Sequence, residues 1–282
     1  MSVLVTGGAG RLGFEVTKLL SEKGYNVRAF DLPGVDWGYL ESLSGVEPCK
    51  GDINDEKCMK EACRDVDAAV HLAALLPPRS ERDRKRTLTV NVEGTKLLLS
   101  ALEPDKRIIF ASSVTTYGVT AHETPPINES HSLVATDFYS ESKIISEKLI
   151  QGSGRPFTIL RIAPISIADL LELPDLMPYK TEQRIECVYV MDAAQAICSC
   201  LNEEHSVAYN IGGGSSWQMT GGEYIKRFYD SLGVDVNPIF PDTYTALDWY
   251  DTSLSAHLRY QRTSFNMFES ILESKSSELG LK

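Results

Sequence analysis

An α/β fold built on a doubly wound parallel sheet is predicted by three observations. The apolar run Val3-Leu4-Val5 stops at glycines spaced Gly7-x-x-Gly10-x-x-Gly13, and a helical pattern starts at once. An acidic residue, Asp31, closes the next strand-like run, 18 residues beyond Gly13. Through the first half of the chain, short apolar runs alternate with amphipathic stretches, the βαβ pattern of a parallel sheet.

The first observation carries the chemistry. A strand–turn–helix of this kind leaves the N–H groups of the helix's first turn bare, and the helix dipole favours negative charge there. Glycine is needed where backbone turns tightly or approaches a phosphate. A carboxylate about 20 residues further on, at the end of the second strand, is placed to bind ribose hydroxyls. Gly7, Gly10, Gly13 and Asp31 together predict dinucleotide binding on a Rossmann-type sheet.

In chain order, strands are expected at Ser2–Thr6, Asn26–Phe30, Val46–Lys50, Ala68–Leu72, Arg107–Ser112 and Phe157–Arg161. Helices are expected near Leu12–Lys23, Glu56–Cys63, Arg86–Leu102 and Phe138–Gln151. After Arg161 the alternation breaks, with Pro164, Pro174 and Pro178 marking an irregular passage. A short strand Cys187–Val190, a helix Asp192–Asn202 and a last strand Ala208–Ile211 follow. From Thr220 a helix to Leu232, an extended piece at Pro238–Phe240 and terminal helices are expected. The organisation read from this is a dinucleotide-binding domain over residues 1–162, to which strand 208–211 returns, and a small C-terminal substrate lobe over 163–207 and 212–282. Ligands of such sheets bind outside the carboxyl ends of the strands, where this lobe would close.

The 282 residues are 43% hydrophobic and 24% charged, an ordinary globular composition. The net charge of −11 argues against nucleic acid or an anionic membrane as partner, since both select basic surfaces. Six cysteines (Cys49, Cys58, Cys63, Cys187, Cys198, Cys200) form no C-x-x-C pair and no metal-like spacing with the five histidines, so free thiols in a reducing compartment, and no metal, are expected. With no leader pattern and no apolar run long enough to span a bilayer, the expected location is the cytoplasm.

Of twelve tyrosines, Tyr139 alone has a lysine four residues later, Lys143. On a helix that spacing puts both on one face. An ammonium beside the phenol is expected to lower its pKa, and such a phenol can give or take a hydroxyl proton. Ser112-Ser113, at the end of the fifth strand, lies at the expected ligand crevice, where a hydroxyl can hydrogen-bond a substrate oxygen. The plainer alternatives are an amphipathic helix with a chance Tyr and Lys, and a serine that satisfies backbone groups.

These elements, with Gly51-Asp52-Ile53, His71-Leu72-Ala73-Ala74, Asn91-Val92-Glu93-Gly94-Thr95, Tyr117-Gly118, Val188-Tyr189-Val190-Met191-Asp192 and Tyr209-Asn210-Ile211-Gly212, stand in one order along nearly the whole chain. In that order the sequence resembles the extended short-chain dehydrogenase/reductases of the NAD-dependent epimerase/dehydratase family, which includes UDP-glucose 4-epimerase. The resemblance implies NAD as cofactor, with Gly7, Gly10, Arg11, Leu12 and Gly13 at the pyrophosphate. It puts Asp52 and Ile53 at the adenine, Leu72, Ala73 and Ala74 behind the pyrophosphate, Asn91 (near the active site), Ser112, Tyr139 and Lys143 among the cofactor contacts, and Pro164 near the nicotinamide. Ser113, Tyr139 and Lys143 would be catalytic, with Lys143 also on the nicotinamide ribose. Asp31 favours NAD over NADP, a preference that Arg11 would partly offset. Arg79, Ser113 and Thr115 would meet the substrate. A homodimer paired through the Asp137–Gln151 helix and the helix before it is also implied.

The sequence departs from the family in two ways. The dehydratases follow the catalytic Ser/Thr with an Asp-Glu pair; here Val114 and Thr115 stand there, which argues against elimination of water. The nucleotide-sugar epimerases put an arginine before the Val-x-Val-x-Asp strand, where this chain has Ile185 with Arg184 one residue off. They put a second in an Arg-x-Gly-Asp turn, for which Phe240-Pro241-Asp242-Thr243 is the nearest match. Arg79, Arg82, Arg84 and Arg86 could supply charge instead, or form a solvated helix start. Trp217, Trp249 and Tyr250 are expected in the core, and His71 as a packed residue. Three readings stay open: an epimerase acting on a sugar or nucleotide sugar, a dehydrogenase of a smaller sugar, polyol or carbonyl compound, and a non-catalytic NAD-binding regulator.

Overall fold

The computed structural model describes residues 1–168 and 176–280. The first half builds β1 (Ser2–Thr6), α1 (Arg11–Glu22), β2 (Asn26–Asp31), β3 (Val46–Lys50), α2 (Glu56–Ala62), β4 (Ala68–His71), α3 (Arg84–Leu88), α4 (Gly94–Ala101), β5 (Arg107–Ser113), α5 (Phe138–Gln151) and β6 (Phe157–Ile162). The second half builds β7 (Ile165–Ser166), β8 (Arg184–Glu186), β9 (Val188–Tyr189), α6 (Val190–Ser199), β10 (Val207–Ile211), β11 (Gln218–Thr220), α7 (Gly221–Leu232) and α8 (Phe265–Glu278).

Seven parallel strands form one sheet in the order β10-β6-β5-β4-β1-β2-β3. Because strand side chains alternate, the run Val3-Leu4-Val5 feeds both faces. Val3 and Val5 pack with Val16 and Leu20 of α1 and Ile197 of α6, while Leu4 packs with Met59 of α2, Leu98 of α4 and Ile150 of α5. All are fully buried, each contributing about 1.5–3 kcal/mol of hydrophobic stabilisation. Pro48, which cannot donate to a ladder, sits on the edge strand β3. The order reverses between β1 and β4, which puts the crevice of the sheet between their carboxyl ends.

The seven expected strands of this sheet are present within one residue at either end. The expected helix Arg86–Leu102 is different: it starts at Arg84 and is widened by a π-turn over Thr89–Glu93 before α4. The expected strand Cys187–Val190 is only Val188–Tyr189, because α6 begins at Val190. The chain before it, Arg184–Glu186, pairs antiparallel with β11. Ile239 in the expected extended piece bridges Leu176. Pro174 lies outside the described residues. Trp217 and Tyr250 are buried and Trp249 half-buried, with Trp217 packed between Phe265 and Phe268 of α8. The six cysteines are free thiols. No helix among the described residues is long and apolar enough to cross a membrane, and none of their His, Cys, Asp and Glu side chains form a group that could hold a metal ion.

Candidate functional site

At the carboxyl end of β1 the chain makes a turn that only glycine allows. Gly7 and Gly8 both donate to the Phe30 carbonyl, at 2.8 and 3.1 Å. Gly7 has φ +73°, and a Cβ there would come within 2.8 Å of the Ala73 nitrogen. A Cβ on Gly13 would run into the Gly7 carbonyl oxygen, so this glycine lets α1 press against the turn. A Cβ on Gly10 would meet only the Gly7 oxygen, at 3.3 Å. Gly10 also gives α1 no side-chain cap, which leaves the first-turn N–H groups to a ligand.

Asp31 ends β2 beside this turn, one oxygen accepting from Ala9 N (3.1 Å) and the other from Leu32 N (2.8 Å). Leu72, Ala73 and Ala74, half-buried, run along the turn, with the Leu72 and Ala73 amides held by the Thr6 carbonyl and hydroxyl. Asp52 is exposed and accepts from Asn54 N, whereas Ile53 is buried beneath Gly94. Arg11 is exposed and Leu12 half-buried. Bare backbone, an uncapped helix start and a held carboxylate are the donor and acceptor set that a dinucleotide requires.

At the carboxyl end of β5, Ser113 caps the short helical turn Val114–Tyr117, its Oγ accepting from Thr115 N (3.2 Å) and Thr115 Oγ1 (2.9 Å). The helix α5 is started by Asp137, which accepts from Ser140 N at 2.6 Å, and by Glu81, which accepts from Phe138 N (2.9 Å) and Tyr139 N (3.1 Å). It delivers Tyr139 to the Ser113 hydroxyl, a contact that stabilises the phenolate. Lys143 is buried one turn on. Its Nζ donates to the Ala111 carbonyl at 2.6 Å and lies 5.6 Å from the centre of the Tyr139 ring.

The expected effect of Lys143 on the phenol is not found. Burial pushes the Tyr139 phenol up, and Asp137 adds to this; Ser113 opposes them. Burial also pushes Lys143 down to about 7, with Glu147 holding it up. A lysine this close to neutrality, with its Nζ on a carbonyl, lends the phenol little positive charge. The phenol of this state therefore carries its proton firmly.

Behind these residues lies a buried network that the sequence reading missed. Ser112 donates to Glu147 at 2.5 Å, so its hydroxyl is engaged there. Glu147 is fully buried and accepts two bonds from Arg161, at 3.2 and 2.8 Å. Arg161 donates onward to Tyr117 (3.1 Å), which donates to Asn210 (2.6 Å). The signal was available: Glu147 follows Lys143 by four residues, on the same helix face. His71 is packed, as expected, between the Thr6 and Thr95 hydroxyls at 2.7 and 2.9 Å, and burial pushes it down to about 3.

Asn91, turned inward on the π-turn, clamps the loop after β4: its oxygen accepts from Leu75 N (2.7 Å), and its amide donates to Leu75 O (3.1 Å) and Ser142 Oγ (2.9 Å). Arg79, Arg82 and Arg86 stand exposed on this loop, but Arg84 is paired with Glu141 and leaves the candidate substrate set. Pro164 sits between β6 and β7, its carbonyl accepting from Val188 N at 2.9 Å.

The glycine turn, the Asp31 carboxylate and the Ser113–Tyr139–Lys143 group on one parallel sheet define a Rossmann-fold protein of the short-chain dehydrogenase/reductase kind. The model of the NAD-dependent epimerase/dehydratase family matches residues 3–166, and the chain belongs to that family. It is 30% identical over 241 residues to a UDP-N-acetyl-alpha-D-glucosaminuronate decarboxylase of Bacillus cytotoxicus, covering 74% of each chain. It is 31% identical over 187 residues to a D-erythronate dehydrogenase of Cupriavidus necator, covering 59% of this chain and 56% of that protein. Its fold is that of the UDP-glucose 4-epimerase of Thermotoga maritima solved with UDP-glucose, with a TM-score of 0.85, 22% identity and full coverage of both chains.

Proposed function

We propose that this enzyme is an NAD-dependent oxidoreductase acting at a hydroxyl or carbonyl carbon of a sugar-like substrate. The observation that carries it is the meeting of the Ser113 hydroxyl, the Tyr139 phenol and Lys143 at the carboxyl end of β5, beside a glycine turn shaped for a dinucleotide. Gly7, Gly10, Arg11, Leu12 and Gly13 would hold the pyrophosphate and Asp31 the adenosine ribose. Asp52 and Ile53 would stand at the adenine, Leu72 to Ala74 and Pro164 along the cofactor, and Lys143 at the nicotinamide ribose. NAD, when bound, supplies the acceptor and donor of a hydride. Tyr139 gives or takes the hydroxyl proton, and Ser113, its hydroxyl set by Thr115, orients the substrate oxygen. Residues 1–162 with strand 208–211 form the cofactor half, and 163–207 with 212–282 the substrate lobe. The same reading makes the protein a cytoplasmic homodimer paired through α5 and the helix before it.

Two outcomes of this chemistry are open to the same residues. An epimerase returns the hydride to its substrate and keeps its NAD; a dehydrogenase releases NADH. The fold shared with UDP-glucose 4-epimerase supports the first, and the likeness to a D-erythronate dehydrogenase supports the second. Denaturing the purified protein and measuring the absorbance and mass of what it releases separates them, since an epimerase yields retained NAD and a dehydrogenase an empty site. Tyr139→Phe tests the common core: NAD binding should persist while turnover collapses, and undiminished turnover would remove Tyr139 from the mechanism.

A further inference from the structure

We propose that Glu147 is a positioning residue of the hydride-transfer site, holding α5 in register on β5 and serving as the buried counter-charge of Lys143. This rests on the oxidoreductase reading above and adds a residue to it. Tyr139, Lys143 and Glu147 follow one another at intervals of four, which lines their side chains along one face of α5. Ala111, Ser112 and Ser113 end β5, and each is taken by one member of that row. Tyr139 bonds the Ser113 hydroxyl. Lys143 Nζ donates to the Ala111 carbonyl at 2.6 Å, and Ser112 Oγ donates to Glu147 Oε1 at 2.5 Å. A slip of α5 along β5 would break all of these contacts together. Glu147 therefore helps to fix where the phenol and the ammonium stand.

Glu147 is itself held. Arg161 on β6 donates from Nε and Nη2 to its two oxygens, at 3.2 and 2.8 Å, and both side chains are buried. Arg161 is fixed in turn by the Tyr117 hydroxyl (3.1 Å) and the Glu129 carbonyl (3.0 Å). A carboxylate anchored in this way acts as a fixed charge, and burial strengthens its reach because the local dielectric is low. The groups around Lys143 are His71 on β4, the Phe110 ring and Ala111 carbonyl on β5, Tyr139 and Glu147 on its own helix, and Arg161 paired with Glu147. His71 is pushed down to about 3 by burial, and burial pushes the Tyr139 phenol up, so both are neutral near pH 7. Burial pushes Lys143 down to about 7, and Glu147 is the charge that opposes it. Without that carboxylate the balance moves further toward the neutral amine. Glu147 thus preserves the share of charged Lys143 that the nicotinamide ribose and the phenol would meet.

The test is fluorescence titration of NADH into the parent protein and its variants over about pH 5 to 9, a range that brackets the lysine. In the parent, the dissociation constant should change through a midpoint at about 7, as Lys143 gains or loses its proton. Lys143→Met should abolish that midpoint, which separates Lys143 from Glu186, also held at about 7. Glu147→Gln keeps the shape and an acceptor for Ser112, and should move the midpoint down by about one pH unit or more. Because it strands the buried Arg161 charge and can unfold the protein, the double variant Glu147→Gln/Arg161→Met, which removes the pair, is measured beside it. Its midpoint should move in the same direction by less. A flat parent profile, an unmoved midpoint in either folded variant, or a midpoint that survives Lys143→Met overturns the proposal. A purely structural role for Glu147 would lower stability and leave the midpoint in place. If the parent binds no NADH at any pH, the oxidoreductase reading falls as well, so the two failures are told apart.

Discussion

The two sides of the crevice are built from different materials. On the side of β1 and β2, recognition would rest on backbone: a turn of glycines, an uncapped helix and one carboxylate held by amides. Its polar groups face outward. On the C-terminal side, recognition would have to rest on side chains, and the strongest of these face inward, Arg184 onto Asp248 and Glu186 onto the amides of Gly214 and Tyr250 and the side chain of Gln218. The difference teaches that one side of the crevice presents bare backbone donors while Arg184 and Glu186 on the other are engaged within the protein.

The largest expected effect breaks the chemistry that both sides share. Tyr139→Phe should lower kcat by about 10²–10⁴-fold, the range for loss of a general acid or base, with the NAD dissociation constant nearly unchanged. Next comes the backbone side. Gly13→Ala forces a Cβ into the Gly7 carbonyl oxygen and should destabilise the fold by about 1–3 kcal/mol, read by chemical denaturation, and weaken NAD further by opening the turn.

Glu186 sharpens the comparison from the other side. Burial holds its carboxyl up at about 7, against 4.5 for an ordinary one. Between these values the folded protein binds a proton that the unfolded chain has lost, so this residue's contribution to stability is full below pH 4.5 and declines as pH rises toward 7. A shift of that size is worth on the order of 3 kcal/mol. Glu186→Gln should therefore lose less stability than the parent between pH 4.5 and 7 in a pH series of denaturation midpoints. Parallel profiles would show that Glu186 stays ionised in the fold. The smallest expected effect is on cofactor choice, where Asp31→Asn should narrow the NAD-over-NADP preference by about tenfold by removing one repulsive charge.

The same division explains what the sequence revealed. The glycine spacing, Asp31, and the i,i+4 pair Tyr139–Lys143 are local patterns whose geometry follows from one turn or one helix, and each stands where its spacing implies. The π-turn at Thr89–Glu93 was hidden because one extra residue in a helical turn leaves the apolar periodicity almost unchanged. The state of Tyr139 was misjudged because burial, which no spacing displays, outweighs the lysine beside it. The pairing of Arg84 and Arg184 was not legible, because their partners Glu141 and Asp248 lie 57 and 64 residues away in the chain. Long-range pairing of charged side chains is a property of the folded surface.

The central claim is that the turn at Gly7–Gly13, with Asp31, forms an NAD site beside Tyr139. It is tested most directly by titrating NAD and NADP separately into the cofactor-free protein and following heat or tryptophan fluorescence. The account predicts saturable binding of NAD, with NADP about ten- to a hundredfold weaker because its 2′-phosphate meets the Asp31 carboxylate. Absence of NAD binding, or tighter binding of NADP, would contradict it.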